Sequence, residues 1–286
     1  MRRLYVFKNI INMSKKILLV SVLMLSVLFA KAQNFQIFYD FGETRKQVTT
    51  TAELFKADPW GNTYSFIDLD FTFRGVTNEE TGKVSNIGIG GAYFEIARCL
   101  NFWQKTKASF LSIQLEYNGG LGTYPTNDNT KLPTLGTFSV NHAFLGGADF
   151  FVHSNDYKFL FNFKVLYKKY LYYDQTVPMQ LTFVWTMNDL FGAKGLTFNG
   201  FADWWGQNQT LTDKNGVDHN TYSVFITEPQ IWYSVGQWFG CPQLNIGCEI
   251  ECSNHFGSTY GFVCNPCVGI KWNFETEPNK SAAVKN

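Results

Sequence analysis

Phe66-Ile67-Asp68-Leu69-Asp70-Phe71-Thr72-Phe73 is the stretch on which the fold turns. Ile67, Leu69, Phe71 and Phe73 fall on one face of an extended chain; Phe66, Asp68, Asp70 and Thr72 fall on the other. Successive side chains of a strand point to opposite faces, so the segment predicts a strand with one greasy side and one polar side. The pattern recurs downstream. Leu111, Ile113, Leu115 and Tyr117 oppose Ser112, Gln114, Glu116 and Asn118, and Leu181, Phe183 and Trp185 oppose Gln180, Thr182 and Thr186.

Working outward, alternation and turn residues together mark spans at 34–41, 46–56, 62–74, 86–98, 108–121, 136–152, 157–173, 177–188, 195–206, 220–237, 243–254 and 260–274. The number is even, as closed single-chain outer-membrane barrels require. Most spans reach the roughly 9–11 residues that a tilted spanning strand needs. Polar connectors at 75–85, 122–135 and 207–219 all follow odd-numbered spans, which predicts long loops outside and short periplasmic turns. In the last span Val268, Ile270, Trp272 and Phe274 share a face against Gly269, Lys271 and Asn273. The fold class read from this is all-β: a transmembrane antiparallel up-and-down β-barrel of about twelve strands.

Composition agrees. Aromatic residues make up 17% of the chain, with 28 Phe and 14 Tyr, more than a soluble domain readily buries. Lipid accepts them, above all at its two interfaces. Formal net charge is +1, so no basic field draws nucleic acid, and that partner class is excluded. Residues 1–32 are expected to be a signal peptide: Lys15-Lys16, the apolar run Ile17 to Phe29, then Ala30-Lys31-Ala32. Met13 is an alternative start. Residues 33–274 form the expected barrel and 275–286 a polar C-terminal tail.

A family resemblance follows from particular segments. Met187-Asn188-Asp189-Leu190-Phe191-Gly192, then Leu196-Thr197-Phe198-Asn199-Gly200-Phe201, resemble a turn and a Gly-Phe strand of the nucleoside-specific channel-forming outer-membrane proteins, the Tsx-like family. Trp204-Trp205-Gly206, Asn62 to Asp68, Phe94-Glu95-Ile96-Ala97-Arg98 and the closing Val268 to Phe274 are similar in the same order. The resemblance implies a monomeric barrel inserted by the barrel-insertion machinery. Its partners would be outer-membrane lipid and small solutes such as nucleosides, admitted by facilitated diffusion. It implies no catalysis and no cofactor.

A nucleoside offers a stacking face, hydroxyls and no charge, so a pore for it wants aromatic plates beside hydrogen-bonding groups. Parity points Phe66, Asp68, Asp70, Tyr93, Glu95, Phe201, Asp203 and Trp205 into the lumen as substrate-binding candidates. Glu116, Asn162, Lys164, Asn199, Glu249, Glu251 and Lys271 share that side. Any barrel this size also needs polar residues inside simply to fill and hydrate it.

Cys264-Asn265-Pro266-Cys267 has metal-knuckle spacing, but a strong zinc site pairs two such knuckles. Parity puts Cys248 and Cys252 on the lipid face. A disulfide between Cys264 and Cys267, or among outer-loop cysteines, is the other reading left open. The alternatives to a channel are a non-conducting structural or adhesive barrel and a barrel hydrolase. For the latter, His142 has Val140 and Phe144, not Ser, at the neighbouring same-face positions.

Overall fold

A computed structural model of the chain describes residues 33–42, 45–71, 76–77, 84–85, 89–126, 134–172 and 174–274. The expected leader, the expected tail, and Thr72 and Phe73 lie outside the described residues.

Every predicted span is a strand. β1 is Asn34–Asp40, β2 Val48–Asp58, β3 Gly61–Phe71, β4 Ile89–Leu100, β5 Leu111–Thr126 and β6 Thr134–His153. β7 is Phe159–Tyr170, β8 Met179–Asn188 and β9 Leu196–Thr212. β10 is Asp218–Thr227 and resumes as Gln230–Tyr233; β11 is Leu244–Asn254 and β12 Phe262–Asn273. Each pairs antiparallel with the next, and β12 pairs back onto β1, from Asn34 opposite Asn273 to Asp40 opposite Cys267. The Phe274 N–H donates to the Gln33 carbonyl at 3.0 Å, so both ends of the barrel meet at one rim, here the near rim. The wall is a closed twelve-stranded barrel. Closure satisfies the strand hydrogen bonds within the wall, the condition lipid imposes on any β structure that spans it.

The break in β10 has a local cause. Pro229 has no N–H to give the ladder, so Glu228 and Pro229 bulge between the two halves. Across from them Gly200 in β9 adopts φ +157°, and a Cβ there would run into the Glu228 carbonyl and the Trp185 ring. Only glycine lets β9 follow that bulge.

Two expectations need correction. The connectors predicted at 122–135 and 207–219 are strand over 122–126, 134–135, 207–212 and 218–219, because β5, β6, β9 and β10 run on; 213–217 remains as a turn, and 127–133 lie outside the described residues. Cross-strand pairs such as Thr210–Asn220 at 2.9 Å and Thr212–Asp218 at 2.6 Å carry the ladder there. Beyond the bilayer both faces are wet, so polar alternation no longer marks an end to pairing. At the near rim the connectors 101–110 and 234–243 are longer than 213–217 at the far rim, so the predicted contrast in length fails for these three. The span predicted at 220–237 also ends early, at Tyr233, and continues as a 3-10 turn, Val235–Phe239.

Outside, the wall is apolar. Ile37, Ile246 and Ile270 stand in one row across β1, β12 and β11, all exposed, and Ile96, Leu115, Phe144, Phe163 and Phe183 extend the surface around the barrel. Exposed aromatics crowd the near-rim turns: Trp60, Phe102, Tyr157, Phe191, Trp238 and Phe239. Phe191 is 93% exposed, a position that makes sense only where the ring meets a lipid interface. This girdle went unread in the sequence, although Pro59-Trp60-Gly61 and Gln237-Trp238-Phe239-Gly240 are turns with aromatics at their tips.

Candidate functional site

The lumen divides into two unlike halves. Around β6, β7, β9 and β10 it is filled by an apolar cluster: Ala143, Leu145, Leu166, Tyr170, Trp205, Val224 and Ile226. Phe201 packs against it, and Phe256 reaches in from the β11–β12 connector to meet Trp205 edge-on at 6.1 Å. Lys168 covers the cluster, its Nζ 4.4 Å above the Trp205 ring and donating to Gln180 Oε1 at 2.7 Å. The cation is held over an aromatic face, the geometry in which ring quadrupole and ammonium attract. Of the aromatic candidates, Phe201 and Trp205 are therefore packing groups in this half; Trp205 is only 7% exposed. Apolar residues on both faces of β7, Val165 beside Leu166, were the available signal.

The other half keeps aromatic plates beside acceptors. Along the inner wall of β3 and β4, Tyr64 meets Phe66 and Phe66 meets Tyr93, both at 6.0 Å between ring centres. Tyr93 donates its hydroxyl to Glu95 at 2.7 Å, and Tyr64 donates to Glu53 at 3.2 Å. Asp70 accepts from Thr49 at 2.7 Å and Asp68 accepts from Thr51, both partners on β2. Six of the predicted residues, Phe66, Asp68, Asp70, Tyr93, Glu95 and Asp203, thus meet other groups of the inner wall. Asp203 does so through Gln180, at 3.3 Å, at the border of the apolar half.

Ladders of side-chain hydrogen bonds run between these points. Gln114 donates to Glu116 at 2.6 Å, Asn118 to Glu116 at 3.3 Å and to Glu95 at 3.4 Å, and Asn162 to Asp149 at 2.8 Å. On the far side Gln230 donates to Glu249 while accepting from Asn199 at 3.2 Å and Trp232 at 2.8 Å. Lys271 lies over the Trp232 ring at 4.2 Å. Arg45 comes from the connector after β1, gives both terminal nitrogens to Glu251 and stands 3.5 Å from Asp40. Parity reasoning could not reach Arg45, which lies in a connector, nor Glu228, whose face is set by the bulge.

The cysteines settle differently from either open reading. Cys252 and Cys264, opposite one another on β11 and β12, form a disulfide on the lipid side. Cys264 and Cys267 are three apart on one strand and so point to opposite faces; Cys267 is buried inside. They cannot form a knuckle or pair with each other. Of the four histidines, His142 faces outward to the Tyr117 hydroxyl, His153 sits at the near rim, and His219 and His255 stack on Tyr260 at the far rim.

A closed twelve-stranded antiparallel β-barrel whose outer wall is apolar all round, and whose inner wall carries rows of polar side chains beside one apolar cluster, is an integral outer-membrane barrel. More narrowly, the chain belongs to the family described as Domain of unknown function (DUF5020), whose model matches residues 32–274. No curated protein matches the sequence. Among solved structures it is similar to a NanC porin (9% identity, 85% of this chain and 98% of that one, TM-score 0.48). It is also similar to Pseudomonas putida OprB (12% identity, 80% and 59%, TM-score 0.33). A third is the outer membrane channel DcaP of Acinetobacter baumannii (10% identity, 84% and 72%, TM-score 0.33).

Proposed function

We propose that the barrel is an outer-membrane channel for facilitated diffusion of small solutes, nucleosides being the class its sequence resemblance implies. The observation that carries the reading is the aromatic stripe Tyr64–Phe66–Tyr93 flanked by Glu53, Asp68 and Glu95. A base can stack on such a stripe while its amino groups and the sugar hydroxyls donate to the carboxylates. Weak contacts in series suit transport, since the solute must leave as well as enter. A self-closed wall suits a monomer, and its last strand, ending Trp272-Asn273-Phe274, is the segment we assign to the insertion machinery.

Adenosine added to single channels in a planar bilayer tests this. Block at millimolar concentration or below is expected, weakened about 5- to 150-fold by Phe66→Ala or Tyr93→Ala if each ring contributes about 1–3 kcal/mol of stacking. Conductance indifferent to adenosine would remove nucleosides and leave the channel. A second reading, a non-conducting structural barrel, is favoured by the apolar cluster around Leu166 and Val224, each 1% exposed. It predicts folded protein without conductance.

A further inference from the structure

Over the whole chain charges balance, with Lys+Arg 24 against Asp+Glu 23. They are not balanced in the half of the lumen lined by β3, where Asp40, Glu53, Asp68, Asp70, Glu228, Glu249 and Glu251 face the cations Arg45 and Lys271. Asp68 has Asp70, Glu249 and Glu53 as charged neighbours. Glu228 has Glu249, Glu251 and Asp68, with Arg45 the cation among them. In the sheet β3 is separated from β10 by β2, β1, β12 and β11, so the approach of Asp68 to Glu228 and Glu249 is across the lumen, not along the wall.

Hydrogen-bond demand is an independent observation, and it points the same way. On the inner wall Gln36 Oε1 and Asn199 Oδ1 have no donor among the described residues. Both are acceptors. Gln36, 2% exposed, stands opposite Thr51, which stands opposite Asp68; Asn199 stands opposite Gln230, which stands opposite Glu249. The unpaired acceptors therefore belong to the same rows as the facing carboxylates.

From these two observations we infer that the lumen is a cation filter. Its solutes are cations or neutral donor-rich molecules, and anions are turned away. Carboxylates facing one another between low-dielectric walls, in their ionised form, set up a negative potential that water screens poorly, the device by which acidic rings select cations. The inference rests on the channel reading and narrows its substrate class.

The test is the reversal potential of the refolded barrel in a KCl gradient. Potassium is expected to permeate several-fold over chloride, and Asp68→Asn with Glu228→Gln and Glu249→Gln to abolish that preference. Conductance with no preference, or a preference for chloride, would overturn the filter and leave the channel. Folded, heat-modifiable protein that never conducts would overturn the channel reading, and the filter with it. Should the triple variant fail to fold, the wild type at rising ionic strength serves, because fixed charge loses reach as salt shortens the screening length. Selectivity that salt leaves unchanged would contradict a fixed-charge origin.

Discussion

Arginine placed at Ile67 should damage the barrel far more than loss of the charge next to it at Asp68. Ile67 and Leu69 belong to the outward face of β3, and Asp68 between them bonds inward to Thr51 on β2. The lipid interface near the start of β3 is marked by exposed Trp60 and Phe102, whose rings are 5.9 Å apart. A rise of about 3.4 Å per residue and a tilt of about 40° put Ile67 about 16 Å above Gly61, and Leu69 about 21 Å above it. In an apolar band about 25 Å tall, Ile67 is then close to the midplane and Leu69 approaches the far interface. Arginine at the midplane costs about 2–4 kcal/mol, and nearer the interface about 1–2 by interpolation. The first figure is about 30- to 900-fold in the folding equilibrium. Refolding into vesicles across a urea series, read by heat-modifiable migration, should rank wild type and Asp68→Asn together, Leu69→Arg below them and Ile67→Arg lowest. Equal midpoints for Ile67→Arg and wild type, or a larger loss for Asp68→Asn, would refute the assignment of inside and outside.

Other outcomes are as specific. Replacing Cys252 and Cys264 by Ser removes a loop closure over a sequence separation of 12, which should cost about 2–3 kcal/mol, seen as a lower unfolding midpoint. Denatured wild-type protein should react with four equivalents of thiol reagent before reduction, for Cys99, Cys241, Cys248 and Cys267. Gly200→Val forces a β-branched residue into a left-handed conformation against the Glu228 carbonyl and should cost about 1–3 kcal/mol in strain alone, measured in the same refolding assay. At the near rim, the Lys158 ammonium bonded at 2.9 Å and the Gly195 N–H hold the Asp189 carboxyl below its usual range. That stabilisation is present above the ordinary aspartate range and disappears as pH falls through the lowered value, so Asp189→Asn should flatten the acid side of the stability profile.

Much of the wall was legible because alternation is a strong local signal. Each outward apolar residue, from Ile67 to Ile270, faces lipid while its strand neighbours face the lumen, and a single register satisfies both. The lumen was legible only residue by residue. Parity pointed Asp68, Tyr93 and Glu95 inward, but no local rule says that Asp68 looks across at Glu228, because that juxtaposition is set by ring closure. Glu228 was hidden by the proline beside it, which breaks the period on which parity depends. Trp205 was read as a free plate, yet Leu166 and Val224 bury it; their strands carry apolar residues on both faces, which blurs inside from outside. The disulfide escaped because a cross-strand pairing needs the register of two strands, and the connector at 255–261 does not fix it from sequence.

The central claim, that the closed barrel conducts, meets its most direct test in single-channel recording of refolded mature protein in symmetric KCl. Small, discrete conductance steps are predicted, limited by the apolar cluster in one half of the lumen. Their absence from protein that migrates as a folded barrel would contradict the claim and leave a structural role in the membrane.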